Sequence, residues 1–278
     1  MGDFNNAAAV NERAAQVDRE YFAKTGITSS YYAYYLHNLS FLIYSRAMQG
    51  RLADTEAAIK QMRDAITPVE HSMPEMATAF EFFITTGHMR NQQWNALLSA
   101  PSPQTTDHTA LALWHFSRGM AFEAKNQRDA ATREQTKFEA ERTLTDRNLQ
   151  WDTNKLGDVL DLASAVLSAR LSTSPAEAVG KWKHAVSLQD TLVYNEPPAW
   201  FYPVRESLGS ALLRAGDAAG AESVFREGIK NSPNNGRMLF GLLESLKAQQ
   251  KAGAAAWVQR EFEAAWKGSD LKLRIGDL

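Results

Sequence analysis

The chain has 278 residues, 44% hydrophobic and 10% aromatic, which is ample material for a core and excludes global disorder. A formal net charge of −2 and a pI near 6.3 give no electrostatic ground for binding nucleic acid or an anionic membrane, and no apolar run approaches a membrane span. With no cysteine, disulfides, thiolate metal sites and a cysteine nucleophile are excluded as well.

Periodicity is helical along the chain, with no strand-like alternation that stands out. Residues 2–24 read as one helix, with Gly2 at a turn, Ala7 at a close-contact position and Val10, Ala14, Val17 and Tyr21 as an apolar stripe expected to be buried on the next repeat. No partner helix precedes Gly2, so this is expected to be the orphan second helix of a repeat, in a chain that is the C-terminal part of a longer protein. Fraying there, or self-association through this helix, is the expected consequence. A hairpin over 36–69 comes next, marked by Leu39, Leu42, Gly50 and Ile59, with Thr55 where alanine would be usual. Residues 75–100 form a degenerate pair whose second helix is cut short by Pro101 and Pro103. Then come 112–145, with Gly119, Phe122, Ala131 and Phe138, and 159–192, with Leu162, Ala178, Trp182 and Ala185. Between them, residues 142–152 interrupt the pattern and lead to an expected N-cap at Asp152 or Thr153.

A second interruption, 194–203, reads YNEPPAWFYP, whose prolines forbid helix and hold the chain extended. The clearest hairpin is 202–235: Pro203 suits a first helical turn, Leu208-Gly209 and Leu212 mark the first helix, and Gly216 opens the turn. Ala221 is its close-contact residue, Phe225 its aromatic and Pro233 its end. A last hairpin spans 236–269, with Leu239, Leu242, Leu246, Ala255 and Phe262, and the final GSDLKLRIGDL is a tail or a strap over the last helix. Small residues at close approaches with larger ones beside them, recurring at about 34 residues, are the tetratricopeptide pattern. The expected fold is therefore all-α: a right-handed superhelical solenoid of antiparallel helix hairpins, treated as one domain over 1–278.

Three stretches carry a wider likeness: NERAAQVDREYFAK, YYLHNLSFLIYSRAMQGR and the run from Tyr194 to Gln249. They resemble a family of bacterial tetratricopeptide-repeat proteins of poorly defined function. The likeness spans nearly the whole chain and is most specific at Glu196-Pro197-Pro198, Trp200, Tyr202-Pro203-Val204-Arg205 and Leu208-Gly209. It implies a superhelical scaffold and brings no catalytic residues. Family members are longer at the N-terminus and carry His-x-Pro-Ser-His motifs just before the point where this chain begins; those histidines have no counterpart here.

Catalytic constellations are missing from the sequence. None of the six histidines pairs at i, i+4, and His108 and His115 lie two helical turns apart, about 10 Å, too far to share an ion. No H-E-x-x-H, G-x-S-x-G, Walker loop or G-x-G-x-x-G occurs. Asp158 and Asp161 share a helical face, which the helix dipole explains more simply than acid–base chemistry does. No catalytic residue, metal ligand or cofactor is assigned. Trp114, Trp182, Trp257 and Trp266 fall at helical spacing and are expected in the core.

Two polar-aromatic clusters remain, SSYYAYYLHN (29–38) and YNEPPAWFYPVRE (194–206), each where a loop enters a first helix. First helices line the concave face of such solenoids, and inner-face offsets select His37, Ser40 and Tyr44 in one repeat, Glu206 and Ser210 in another. Tyr35, His37, Asn38, Tyr44, Trp200, Tyr202, Arg205 and Glu206 are accordingly the candidate binding residues. For Trp200 and Tyr202 the competing role is to pin the inserted loop, with Arg205 holding a carbonyl or Glu196. The expected function is a non-enzymatic scaffold binding a protein or peptide in its concave groove, with no nucleic acid and no membrane as partner. The alternative is a ligand- or metal-binding protein whose main site lies in a missing N-terminal half. No signal peptide is visible, so a soluble cytoplasmic protein is expected, or a periplasmic one if the natural N-terminus lies elsewhere.

Overall fold

The computed structural model describes residues 2–26 and 29–278, the side chains of Ser29, Ser30 and Glu75 excepted. Among the described residues the fold is all-helical apart from one minimal hairpin, and consecutive helices pack as pairs. The helices are α1 (Phe4–Thr25), α2 (Ser29–Met48), α3 (Leu52–Ile66), α4 (Pro74–Arg90), α5 (Trp94–Ser99), α6 (His108–Ala124) and α7 (Arg128–Leu144). They continue as α8 (Leu156–Arg170), α9 (Pro175–Gln189), α10 (Arg205–Arg214), α11 (Ala218–Asn231), α12 (Gly236–Ala248) and α13 (Ala252–Ala265). Alternate helices also meet, α2 with α4, α6 with α8 and α10 with α12, as stacked hairpins require. Two compact units divide the chain: residues 3–93 with 269–271, and residues 94–268 with 272–278 and Gly2.

In the smaller unit, Leu36, Leu39 and Ile43 of α2 pack with Ala58, Ile59 and Met62 of α3 and Ile84 of α4. Helix α1 joins this core through Ala8 and Ala15, seven residues apart and so on one face, and both are fully buried. The stripe Val10, Val17 and Tyr21, expected to be buried, is exposed instead, with Val10 at 66%. Small side chains permit a closer helix approach than valine and tyrosine would, so the alanine face wins the contact with α2. Helix α3 has no side-chain cap of its own, since Arg51 makes none. Asp270 supplies one from far along the chain: its Oδ2 accepts from the Ala53 amide at 3.1 Å. The amide of Asp270 and the hydroxyl of Ser269 both donate to the Gly50 carbonyl at 3.0 Å.

In the larger unit, one aromatic ring organises three helices. A Cβ added at Gly209 of α10 or at Gly241 of α12 would collide with the ring of Phe225 in α11. Phe225 is fully buried between the two glycines, so the absence of a side chain there is a packing requirement. The turn from α10 to α11 needs Gly216 at φ +85°, and Asp217 then caps α11 by accepting from the Gly220 amide at 2.8 Å.

Three expectations are corrected by the structure. Helix α8 does not start at Asp152 or Thr153: Gln150–Trp151 (β1) and Asn154–Lys155 (β2) pair as an antiparallel hairpin, with Asp152 at φ 54° in its turn. The carbonyls of Leu149 and Arg147 receive the Leu156 and Gly157 amides at 2.9 and 3.1 Å, which lets α8 begin only at Leu156. Trp257 is not in the core but 60% exposed, with its Nε1 donating to Glu261 at 2.8 Å and Arg260 over its ring. Trp182 is buried, whereas Trp114 and Trp266 are half-buried. The tail, finally, does not strap the last helix. A single 3-10 turn at Ile275–Asp277 packs against α10.

Candidate functional site

The tail and the surface beneath it form the most peptide-like interaction in the larger unit. Ser210 of α10 donates through Oγ to the Ile275 carbonyl at 2.5 Å, and Arg237 of α12 donates through Nη1 to the Asp277 carbonyl at 3.2 Å. Leu278 is 4% exposed, so its side chain is seated and not merely adjacent. Along 271–275 half-buried Leu271, Leu273 and Ile275 alternate with exposed Lys272 and Arg274, the period of an extended segment with one face down. The single turn is braced by Asp277, whose carboxylate accepts from both the amide and the side chain of Arg274. The Arg274 amide donates to Asp277 Oδ2 at 2.8 Å, and the Arg274 guanidinium Nη2 reaches Oδ1 at 3.0 Å.

The receiving face is built from polar groups held in place by one another. Asn235 caps α12, its Oδ1 accepting from the Arg237 and Met238 amides at 3.0 and 3.2 Å. Its Nδ2 donates to Glu206 Oε1 at 2.7 Å, which ties α10 to the start of α12. Glu206, Asn235 and Arg237 are all buried, and the Arg237 guanidinium lies 5.8 Å from the Trp266 ring centroid. Glu206 and Ser210, selected in the sequence by inner-face offset, thus meet at this face. Arg237 escapes sequence reasoning, because a buried arginine in the first turn of a helix has no pattern of its own. The tail is expected to be free or strapped over the last helix, and its seat on α10 and α12 escapes sequence reasoning too, although the alternation in Leu-Lys-Leu-Arg-Ile at 271–275 marks a segment with one face down.

The remaining loop residues belong to the core. Trp200, Phe201 and Tyr202 are buried, with Trp200 edge-on to Phe116 at 5.8 Å between centroids, and the Tyr202 hydroxyl lies 3.2 Å from Ser207 Oγ. Gln189 clamps the loop, donating to the Tyr202 carbonyl at 2.8 Å and accepting from the Val204 amide at 2.7 Å. Arg205 holds neither a carbonyl nor Glu196. It makes a bidentate pair with Asp190 at 2.6 and 2.8 Å, which raises the guanidinium pKa further.

In α2 the candidate residues split. Tyr35 is 6% exposed and its ring packs on Phe22 and Tyr32; burial raises its pKa, with Arg19 opposing. Burial likewise pushes Tyr32 up to about 12. Asn38 donates to Asp18 Oδ2 at 2.8 Å and the Tyr31 hydroxyl to Asp18 Oδ1 at 3.0 Å, so both serve to bury an acid of α1. His37 meets Phe41 edge-on and Tyr44 meets Phe4, each half-buried. Tyr35, Trp200 and Tyr202 therefore offer no surface to a partner. Each fills a space that its neighbours leave, which a residue-type argument about binding faces does not register.

Three histidines have glutamate partners on the adjacent helix: His88 with Glu56 at 3.1 Å, His108 with Glu141 at 2.8 Å and His115 with Glu134 at 2.6 Å. Glu134 is buried and also lies 3.5 Å from Arg118 Nε and 3.9 Å from Lys137 Nζ, so its charge is met from three sides. Asp161 pairs with Arg142 and Arg147 at 2.5 and 2.7 Å instead of working with Asp158. Among the described residues no group of three His, Asp or Glu side chains could hold a metal ion, and no helix is long and apolar enough to cross a membrane. No protein-family model matches the chain, and no curated protein matches it.

Proposed function

We propose that this is a non-enzymatic helical-repeat scaffold of the tetratricopeptide type, a right-handed superhelix of hairpins, that binds a short segment of a protein or peptide on its first helices. The observation that carries this reading is the seating of residues 275–278 on α10 and α12. Side chains of two first helices donate to main-chain carbonyls two residues apart, and an aliphatic side chain is buried beside them. Recognition of backbone carbonyls, here in a single 3-10 turn, gives affinity for a short segment of that shape, while the seat filled by Leu278 supplies selectivity.

A displayed library of random peptides, panned against the full chain carrying Leu278→Asp to free the seat, should enrich binders whose capture falls several-fold when Ser210→Ala is added while circular dichroism stays unchanged. Enrichment of nothing, or of binders indifferent to Ser210→Ala, sinks the reading.

A further inference from the structure

The peptide-receiving face on α10 and α12 is already filled by the chain itself. We infer that residues 272–278 are a displaceable strap that holds the α10/α12 face closed in cis against a partner segment of the same chemistry: two main-chain carbonyls two residues apart with an aliphatic side chain after them. The inference rests on the scaffold reading and adds its regulation and the class of its partner.

The fastening supports displacement and argues against permanent structure. Among the described residues, two side-chain hydrogen bonds to carbonyls, the seated Leu278 and the Asp277 side chain, 8% exposed, hold the segment, while Leu273 and Ile275 are only half-buried and Lys272, Arg274 and Gly276 are exposed. Segments with few buried contacts open at low free energy relative to the helices beneath them. The helix starts that carry the receiving groups, by contrast, are tied together without the strap: Asn235 and Glu206 bond each other, and Asn235 caps α12. The face is thus built to persist when the strap leaves. The Arg274–Asp277 cap shapes the turn before it docks, so little order is lost on closing. A tethered occupant also competes at an effective concentration in the millimolar range, so a free segment of equal contacts meets a mostly closed face.

The test uses a fluorescein-labelled heptapeptide Lys-Leu-Arg-Ile-Gly-Asp-Leu and the full chain, wild type and Leu278→Asp, followed by anisotropy. The charged side chain cannot occupy the buried seat, so the strap is released while every receiving residue is kept. The variant should bind the peptide roughly ten-fold or more tightly than the wild type, since apparent affinity scales with the open fraction. A peptide ending in Asp in place of Leu should bind neither protein. If Leu278→Asp loses its helical circular dichroism, Arg274→Ala, at a side chain 81% exposed whose guanidinium braces the turn, replaces it with the same expected direction. Equal affinity for wild type and released variant overturns the strap while leaving the receiving face in place. No binding to a folded released variant overturns the assignment of the partner class and the strap together, and the panning experiment then decides separately whether the face binds other peptides.

Discussion

Phe225 shows how much one position can require of its neighbours. Its ring fills the space that Gly209 and Gly241 leave on two different helices, so any side chain at either glycine must displace it. Gly209→Ala is expected to destabilise by about 1–3 kcal/mol despite alanine's better helix propensity, because overpacking outweighs the propensity gain of about 1 kcal/mol. Phe225→Leu should recover part of that loss in the double variant, a coupling that urea-unfolding midpoints would detect. His88 carries a pH dependence of a different origin. Burial lowers its pKa from 6.5, and the nearby Glu56, its side chain 41% exposed, opposes this incompletely, while Arg63 adds to the lowering. The unfolded chain therefore takes up the proton first, so the contribution is full above about pH 6.5 and is lost as pH falls through the lowered folded value. Unfolding midpoints measured between about pH 7.5 and pH 5 should decline less steeply in His88→Gln than in the wild type.

At the scale of the element, helical spacing was legible and helix environment was not. Trp182 and Trp257 both sit at core-like offsets in second helices, yet one is buried and the other exposed. The difference is whether a further helix covers that side, which spacing within one helix does not encode. Trp182→Ala should cost about 3–5 kcal/mol by leaving a cavity, whereas Trp257→Ala should stay within about 0.5 kcal/mol, as thermal melts of the two variants would show. Helix α1 teaches the same lesson. Two faces could have packed, and the alanines Ala8 and Ala15 took the contact over the larger Val10 and Val17. What the pattern does mark well is the close approach, since Gly209 and Phe225, picked out by offset, do meet. The site was legible in part. Glu206 and Ser210 were selected, but Arg237 and the strap enter through contacts between chain segments 40 and 65 residues apart.

For the molecule as a whole, nearly every helix packs against its immediate or next neighbour, so damage should stay near its origin. Leu36→Ala, in the fully buried core of the smaller unit, should cost about 2–5 kcal/mol there. Hydrogen exchange should then quicken across α1 to α4 and leave α10 to α13 unchanged; a uniform loss of protection would mean that the chain unfolds as one block. The all-helical class was legible because apolar spacing repeats on every hairpin. The β1–β2 hairpin was not, since two-residue strands leave no alternation to detect.

The cap that Asp270 places on α3 stands apart from this local economy, because it joins residues 217 positions apart. Hairpins close short loops and can form in microseconds, whereas a contact of such separation must wait until the intervening chain has been shortened by its own folding. Order in time therefore runs opposite to order along the chain: the start of α3 is finished by a residue that emerges 217 positions after it. In pulse-labelled exchange during refolding, the Ala53 amide should gain protection later than the amides in the middle of α3. Simultaneous protection would show that α3 starts without waiting for its distant cap.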